Sequence, residues 1–321
     1  MEALARMIEE LVQSAGIRRK REILPLLRVL PTFPEGMLDP IGDDAAVLPD
    51  GDGYLLLSGD GILPELARDE PFWAGYCAVL VSVSDIYAMG GRPTAMINLL
   101  SAPDEAVAVL IAEGMAEGCR KLGVPMVGGH YLPGVTAGVG TAILGRATRL
   151  LRGTSGRPGH SLIVAIDLNG RQVKHYPQWD STSFHSAESI RRKLELLPAL
   201  AEAGMAVAAR DISNAGVLGT IAMLAENAGC GASIRITSIP KPEAVEWEWW
   251  LRVYPGYGFV LSAEPQHCDA LVALFAGEGI TACVVGELTD DPRIVVRYEE
   301  DEAVLIDWLK EEMVVGKVHD I

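Results

Sequence analysis

The sequence predicts an α+β protein built as two layered domains, and three observations carry this. The 321 residues exceed what one ordinary hydrophobic core organises. Strand-like and helix-like runs alternate in both halves instead of segregating. Gly, Ser, Thr and Pro cluster in "RGTSGRPGHS" (152–161), which sets a boundary between a domain over 1–150 and a layered α/β sheet domain over 151–321.

Taken in order, "MEALARMIEELVQSAGIRRKREILPLL" is amphipathic and ends in a basic cluster, so it predicts an N-terminal helix and, lacking a continuous apolar stretch, not a signal peptide. "YLLLSGDG" (54–61) reads as a strand that delivers Asp60 to its C-terminal end. In "PFWAGYCAVLVSVSDIYAMGGRP" the apolar groups at Tyr76, Val79, Leu80, Val83, Ile86 and Tyr87 recur at helical spacing, closed by Gly90, Gly91 and Pro93. The strand "TAMINLLS" follows, then a helix with Asp104 as N-cap that runs to Leu122 and stops at Gly123. "VPMVGGH" reads as a short buried strand and "AGVGTAILGRATR" as a glycine-rich one.

The second half opens with the strand "SLIVAID" and a long loop, "NGRQVKHYPQWDSTSFHS", followed by a helix near 187–203. After "AVAARDISNAG" the pattern predicts a helix to about Asn227, a strand at 232–236, a helix carrying Trp247, Trp249 and Trp250, and the strand "YGFVLSA". A helix over 265–278, the strands "TACVVGEL" and "RIVVRYE" and a closing helix over 302–313 complete the reading. The three tryptophans suit packing on the sheet, or the wall of a ligand pocket.

A hydrophobic content of 49% with 22% charged residues is that of a globular chain. Lys and Arg number 27 against 43 Asp and Glu, a net charge of −16, so the average surface repels nucleic acid and anionic membrane, and a phosphorylated ligand would call for divalent cations. No run of about 18 apolar residues suggests a membrane span. The five cysteines (Cys77, Cys119, Cys230, Cys268 and Cys283) form no CxxC pair and sit in apolar segments, as buried thiols of a cytoplasmic protein do.

Aspartates stand where apolar elements end or pass: Asp43 and Asp44 in "IGDDAAV", Asp60 in "SGDG", Asp85 inside a helix and Asp211 after "AVAAR". An ionised carboxylate in such surroundings must be paired or bind a cation. Hard oxygen ligands at element ends suit Mg²⁺, whose shell substrate phosphates usually complete. Each aspartate taken singly also reads as a cap or turn residue. The pair Gly128 and Gly129, "GVTAGVG" (134–140) and "GTSG" (153–156) would let backbone N–H groups approach phosphate oxygens, or simply make turns. No GxxxxGK[ST] or Rossmann fingerprint occurs, which disfavours a P-loop enzyme or a nicotinamide dehydrogenase, and no GxSxG elbow supports a hydrolase. His130 reads equally as a metal or phosphate contact and as a turn hydrogen bond. His175 and His185 bracket Trp179 and Asp180 in the long loop, which reads as a substrate lid or as a solvated loop.

In order, "IGDDAAV", "SGDG", "VSVSDIYAMGGRP", "VGGH", "SGRPGHSLIV", "RDISNAGVLGTIAMLAENAGCG" and "YPGYGFVLSAEP" resemble the aminoimidazole ribonucleotide synthetase superfamily, whose relatives include thiamine-monophosphate kinase, selenophosphate synthetase and a hydrogenase maturation factor. The resemblance implies a two-domain α+β chain whose N-terminal domain, 1–150, binds ATP and Mg²⁺ and pairs strands across a homodimer. The C-terminal domain, 151–321, would close over the nucleotide and carry acceptor contacts. By the same resemblance Asp43, Asp44, Asp60, Asp85 and Asp211 hold metal, and Gly128, Gly129, Arg152 and Ser213 contact ATP; Asp60, Asp85 and His130 are the expected catalytic residues. His175, Asp180, His185 and Tyr257 are the expected contacts of a small-molecule acceptor.

The chain departs from thiamine-monophosphate kinase at His130, Asn214 and Tyr257, where the kinase carries acidic residues, although selenophosphate synthetase also carries Gly-Gly-His. A cysteine or selenocysteine of the selenophosphate enzyme's N-terminal loop has no counterpart before Cys77. The expectation is therefore a synthetase-related branch with its own substrate, using ATP and Mg²⁺ for phosphoryl transfer. The alternatives are a thiamine-monophosphate kinase-like or selenophosphate synthetase-like activity, and a nucleotide-binding dimer that acts as a scaffold without turnover.

Overall fold

The N-terminal segment turns at Gln13 and Ser14 and again at Ile23, so the computed structural model places three helices where one was expected: α1 (Glu2–Val12), α2 (Ala15–Glu22) and α3 (Leu24–Leu27). The structure describes residues 2–27, 29, 38 and 41–313. The chain divides into two compact units, one of Asp44–Leu150 with Phe184–Glu202, the other of Met1–Asp43, Leu151–Ser183 and Ala203–Ile321. The chain thus changes unit at the 150/151 boundary read from the sequence and also at 43/44, 183/184 and 202/203.

The first unit is built on a five-stranded sheet. Its elements are β1 (Ala46–Asp50), β2 (Gly53–Gly61), α4 (Pro64–Asp69), α5 (Pro71–Ala88), β3 (Arg92–Ala102), α6 (Glu105–Leu122), β4 (Met126–Pro133), β5 (Gly138–Ala147) and α7 (Ala187–Glu202). The sheet order is β1-β2-β5-β3-β4, antiparallel except where β3 pairs with β4. Strand alternation turns Met96, Leu100, Val139 and Ile143 toward the helices, where all are buried. On the opposite face Leu57, Ile97 and Leu99 are exposed. Helix α5 contacts the sheet as well as α6 and α7, which explains why it is apolar nearly all round. Its approach to α6 is close at Gly75 and Gly114: a Cβ on either glycine would run into backbone of the other helix.

Helix α6 begins and ends as read. Asp104 accepts the Val107 N–H at 2.9 Å, and Gly123 takes a φ of 77° at the C-cap. Helix α7 follows in sequence from the other unit, yet it is fastened here by ionic contacts. The Arg191 guanidinium donates to the Arg120 and Lys121 carbonyls at the end of α6, at 2.5 and 2.9 Å. Arg92 donates to Glu195 at 2.8 Å and to Glu202 at 2.7 Å, and the Tyr87 hydroxyl donates to Glu195 at 3.2 Å. One correction concerns β4. The "VGGH" strand is an exposed edge strand and not a buried one, because it pairs only with β3 and Gly128 and Gly129 give it no side chains to bury.

The second unit carries a seven-stranded sheet. In chain order it adds β6 (Ser161–Ile166), β7 (Arg171–Gln172), β8 (Gln178–Asp180), β9 (Ala208–Asp211), α8 (Gly216–Ala228), β10 (Gly231–Arg235), α9 (Trp247–Trp250), β11 (Tyr254–Pro255), β12 (Gly258–Ala263), α10 (Cys268–Gly277), β13 (Thr281–Thr289), β14 (Arg293–Tyr298) and β15 (Asp301–Asp307). The order is β15-β14-β10-β13-β6-β12-β9, with β7, β8 and β11 forming a separate three-stranded sheet inside the long loop and beside it. Its hydrophobic core joins Leu4, Ile8 and Leu11 of α1 to α8 and the sheet.

One expectation is overturned here, and the tryptophan helix forms where it was read. The segment expected as a closing helix over 302–313 holds strand β15, which pairs antiparallel with β14 through a turn at Glu299, φ 54°. "AVLI" (303–306) is a short apolar run that periodicity alone cannot assign to helix or strand, and the open edge of β14 decides it. The tryptophan helix is a single turn. Trp250 is buried, donates its indole N–H to the Pro240 carbonyl at 2.8 Å and meets Trp179 edge-on with centroids 5.4 Å apart, so it serves as core.

Candidate active site

In the first unit the chemistry gathers at one end of β2. Ser58 lies in the inward phase of the strand and donates its hydroxyl to the Asp85 carboxylate of α5 at 2.5 Å. Both residues are buried. Asp60 follows two residues along the same face of β2, roughly 7 Å further on, and is exposed. Its cross-strand partner Thr141 donates to the Ala78 carbonyl of α5 at 2.9 Å and shares a hydrogen bond of 2.7 Å with Ser82. Asp44 precedes Ala46, the first β1 residue and the partner of Leu57, and so stands toward that same end of the ladder.

Register carries the row onward. Asp60 pairs with Thr141, Thr141 with Asn98 and Asn98 with Gly129, so Asp60 and Gly129 occupy one row across four strands. Asn98 packs so closely on Gly129 that a Cβ there would lie 2.5 Å from the Asn98 carbonyl oxygen. His130 is the next residue, pairs with Leu99 and shares the open face of the sheet with it. The structure therefore sets His130 on the opposite side of the sheet from Ser58, Asp60 and Asp85.

In the second unit Asp211 ends β9, and Ser213 and Asn214 lie in the loop before α8. The Ser213 hydroxyl and the Asn214 and Asn227 carbonyl oxygens are buried with no hydrogen-bond partner among the described residues. Unpaired buried polar atoms are costly, and a ligand with matching polar groups satisfies them. Arg152 is fixed by its backbone, whose N–H donates to the Val207 carbonyl at 3.0 Å. Asp43 is almost wholly buried and paired with Arg210.

Of the four residues expected to meet an acceptor, three lie in the second unit, where the Tyr257 N–H donates to the hydroxyl of Ser181, next to Asp180, at 3.0 Å. His175 is exposed beside Tyr176. The Asp180 carboxylate is buried and staples its own loop, accepting from the Thr182 and Ser183 N–H groups at 3.1 and 2.9 Å and from the Ser183 hydroxyl at 2.5 Å. Tyr257 is buried in the core, and burial, with Asp167 and Glu278 adding to it, raises its phenol well above the ordinary value. His185 belongs to the other unit, where its carbonyl accepts from Lys121 at 2.8 Å.

Sequence reasoning missed Ser58 and Arg210. Each had a signal: a polar residue in the inward phase of an apolar strand, and a guanidinium inside "AVAARD", which burial obliges to find an anion. Among the described residues no three His, Cys, Asp or Glu side chains meet as a ready metal cluster. Mg²⁺ does not require one, because it is commonly held by one or two carboxylates with water and substrate phosphate completing the octahedron. The donor set at the end of β2 fits that demand.

The family model described as "AIR synthase related protein, N-terminal domain" matches residues 42–147, and its C-terminal counterpart matches 157–299. The chain belongs to the AIR synthase related family. A relative in Synechocystis, itself uncharacterised, is 35% identical over 309 residues, 95% of this chain and 96% of that one. The selenide, water dikinase of Carboxydothermus hydrogenoformans is 30% identical over 269 residues, 78% of this chain and 76% of the dikinase. Among solved structures, Thermotoga maritima PurL complexed with ATP superposes with a TM-score of 0.72 at 22% identity over 89% of this chain, which spans about half (48%) of that PurL. AaThiL complexed with AMPPCP and TMP gives 0.62 at 19% identity, covering 82% of this chain and 89% of AaThiL. These likenesses establish the α+β fold of the AIR synthase related family in both halves. No helix among the described residues is long and apolar enough to cross a membrane.

Proposed function

We propose that this AIR synthase related protein is a cytoplasmic, homodimeric, Mg²⁺-dependent enzyme that uses ATP to phosphorylate a small oxygen- or nitrogen-bearing acceptor. The observation that carries the reading is the Asp85 carboxylate held by Ser58, with Asp60 exposed further along the same face. Asp44, Asp60 and Asp85 of the first unit are the proposed magnesium ligands, and Asp211 is a proposed ligand carried by the second unit. The bound ion would supply charge neutralisation for a phosphoryl group whose transition state spreads negative charge over its oxygens. Ser58 keeps the Asp85 carboxylate in one orientation. Gly128 and Gly129 offer backbone to phosphate oxygens, Arg152 offers a cation, and the unsatisfied Ser213 hydroxyl offers a hydrogen bond to the nucleotide. His175 and His185 remain proposed acceptor contacts. Asp180 and Tyr257 would support that region from within, in keeping with their burial.

The homodimer reading rests on the open face of the five-stranded sheet. Leu57, Ile97 and Leu99 are exposed there, together with Leu132, whose register partner Ser101 is in phase with Ile97 and Leu99, and exposed apolar side chains gathered on one face mark an interaction surface. A second copy would cover it, and His130 would then face the partner.

The reading is tested by ADP release over a panel of small hydroxyl, amine and oxyanion acceptors that includes selenide and TMP. Acceptor-stimulated ADP formation, abolished by Asp85→Asn, is the expected result. Tight ATP binding with no ADP release for any acceptor would favour the scaffold reading, to which the neutral Asn214 and the distant His130 lend their weight.

A further inference from the structure

The pair Asp43 and Asp44 looks in sequence like two equivalent metal ligands, yet the structure gives the first a different set of neighbours. The Asp43 side chain is 3% exposed and that of Arg210 is 6% exposed. One Asp43 oxygen accepts the Gly153 N–H at 2.8 Å. The other faces Arg210 Nη1 at 3.5 Å, and the same nitrogen donates to the Gly42 carbonyl at 2.7 Å. Gly153 is held from behind as well, because a Cβ there would lie 2.7 Å from both Cβ and Nδ2 of Asn227. Three segments therefore meet on one carboxylate: the residues before β1, the turn that follows Arg152, and the end of β9. Arg152 adjoins Gly153, Asp211 adjoins Arg210, and Ser213 with its unsatisfied hydroxyl lies two residues further on.

We infer that Asp43 is a positioning residue that fixes Arg152–Gly153 against Arg210–Ser213, and that Asp44 alone of the pair is a magnesium ligand. The inference rests on the nucleotide reading above. A carboxylate whose two oxygens meet a buried amide N–H and a buried guanidinium is held by the protein itself, and stripping either partner away leaves the other desolvated. Its influence on a nucleotide passes through Arg152, Asp211 and Ser213.

The test compares Asp43→Asn with Asp44→Asn by calorimetric ATP titration across a series of Mg²⁺ concentrations, together with urea unfolding of Asp43→Asn, Arg210→Gln and the double variant. Asp43→Asn is expected to weaken ATP binding roughly tenfold at saturating Mg²⁺, with the Mg²⁺ half-saturation point unchanged, whereas Asp44→Asn moves that point upward. Arg210→Lys, which alters no proposed ligand, is expected to weaken ATP in the same way and decides the matter if Asp43→Asn does not fold. Each single variant lowers the urea midpoint and the double variant recovers part of the loss. A rise in the Mg²⁺ requirement of Asp43→Asn equal to that of Asp44→Asn, or additive urea effects, would overturn the inference. If the wild type binds no ATP, the proposed function fails, and the urea comparison still decides whether Asp43 and Arg210 act as one unit.

Discussion

Ser58 donates its hydroxyl to the buried Asp85 carboxylate at 2.5 Å, joining the end of strand β2 to helix α5. A hydrogen bond to a charged acceptor contributes about 1.5–3 kcal/mol, and its loss frees a carboxylate to rotate. Ser58→Ala should therefore weaken Mg²⁺-dependent ATP binding by roughly tenfold or more, while Ser58→Thr, which keeps the hydroxyl, should retain most of it. Calorimetry on the two variants gives the comparison, and equal affinities would remove Ser58 from the account.

Helix α6 depends on its caps. Asp104→Ala removes the acceptor for the Val107 N–H and should lower stability by about 1 kcal/mol, seen as a drop in urea midpoint with an unchanged slope. Asp104→Ser should recover most of the loss.

The contact between Tyr87 and Glu195 makes an alkaline prediction. Burial first, and then the Glu195 carboxylate through its charge and its hydrogen bond, raise the phenol above its ordinary 10.0, while Arg92 and Arg191 oppose the shift. A folded-state value above the unfolded one means that the stabilisation is complete below pH 10.0 and is lost as pH climbs beyond it. Tyr87→Phe should accordingly flatten the fall in thermal midpoint as pH climbs above 10.0. A curve as steep as that of the wild type would contradict the assignment.

All five cysteines are free, and burial pushes the Cys119, Cys230 and Cys283 thiols up. Thiols held neutral react slowly. A disulfide reagent at neutral pH should label the native protein slowly and release five equivalents after unfolding.

Much of this fold was legible in the sequence because its signals are local. Asp104 and Gly123 bounded α6 by cap chemistry, and the apolar spacing of α5 gave a helix whose one buried carboxylate stood out. What failed depended on pairing and packing that residue type alone does not fix. β15 is a strand because β14 offered an open edge, and α7 joins the first unit through Arg92 and the carbonyls at the end of α6. The candidate site divided in the same way. Residue type alone marked Asp60 and Asp85. The strand register that turns His130 away from them, and the burial that pairs Asp43 with Arg210, belong to the folded chain.

The most direct test of the central claim is ATP binding measured by calorimetry with and without Mg²⁺, on the wild type, Asp44→Asn and Asp85→Asn. The account predicts binding by the wild type that requires Mg²⁺, that Asp85→Asn abolishes and that Asp44→Asn shifts to higher Mg²⁺. Absence of wild-type binding in every condition, or binding indifferent to Mg²⁺ and to both substitutions, would contradict it.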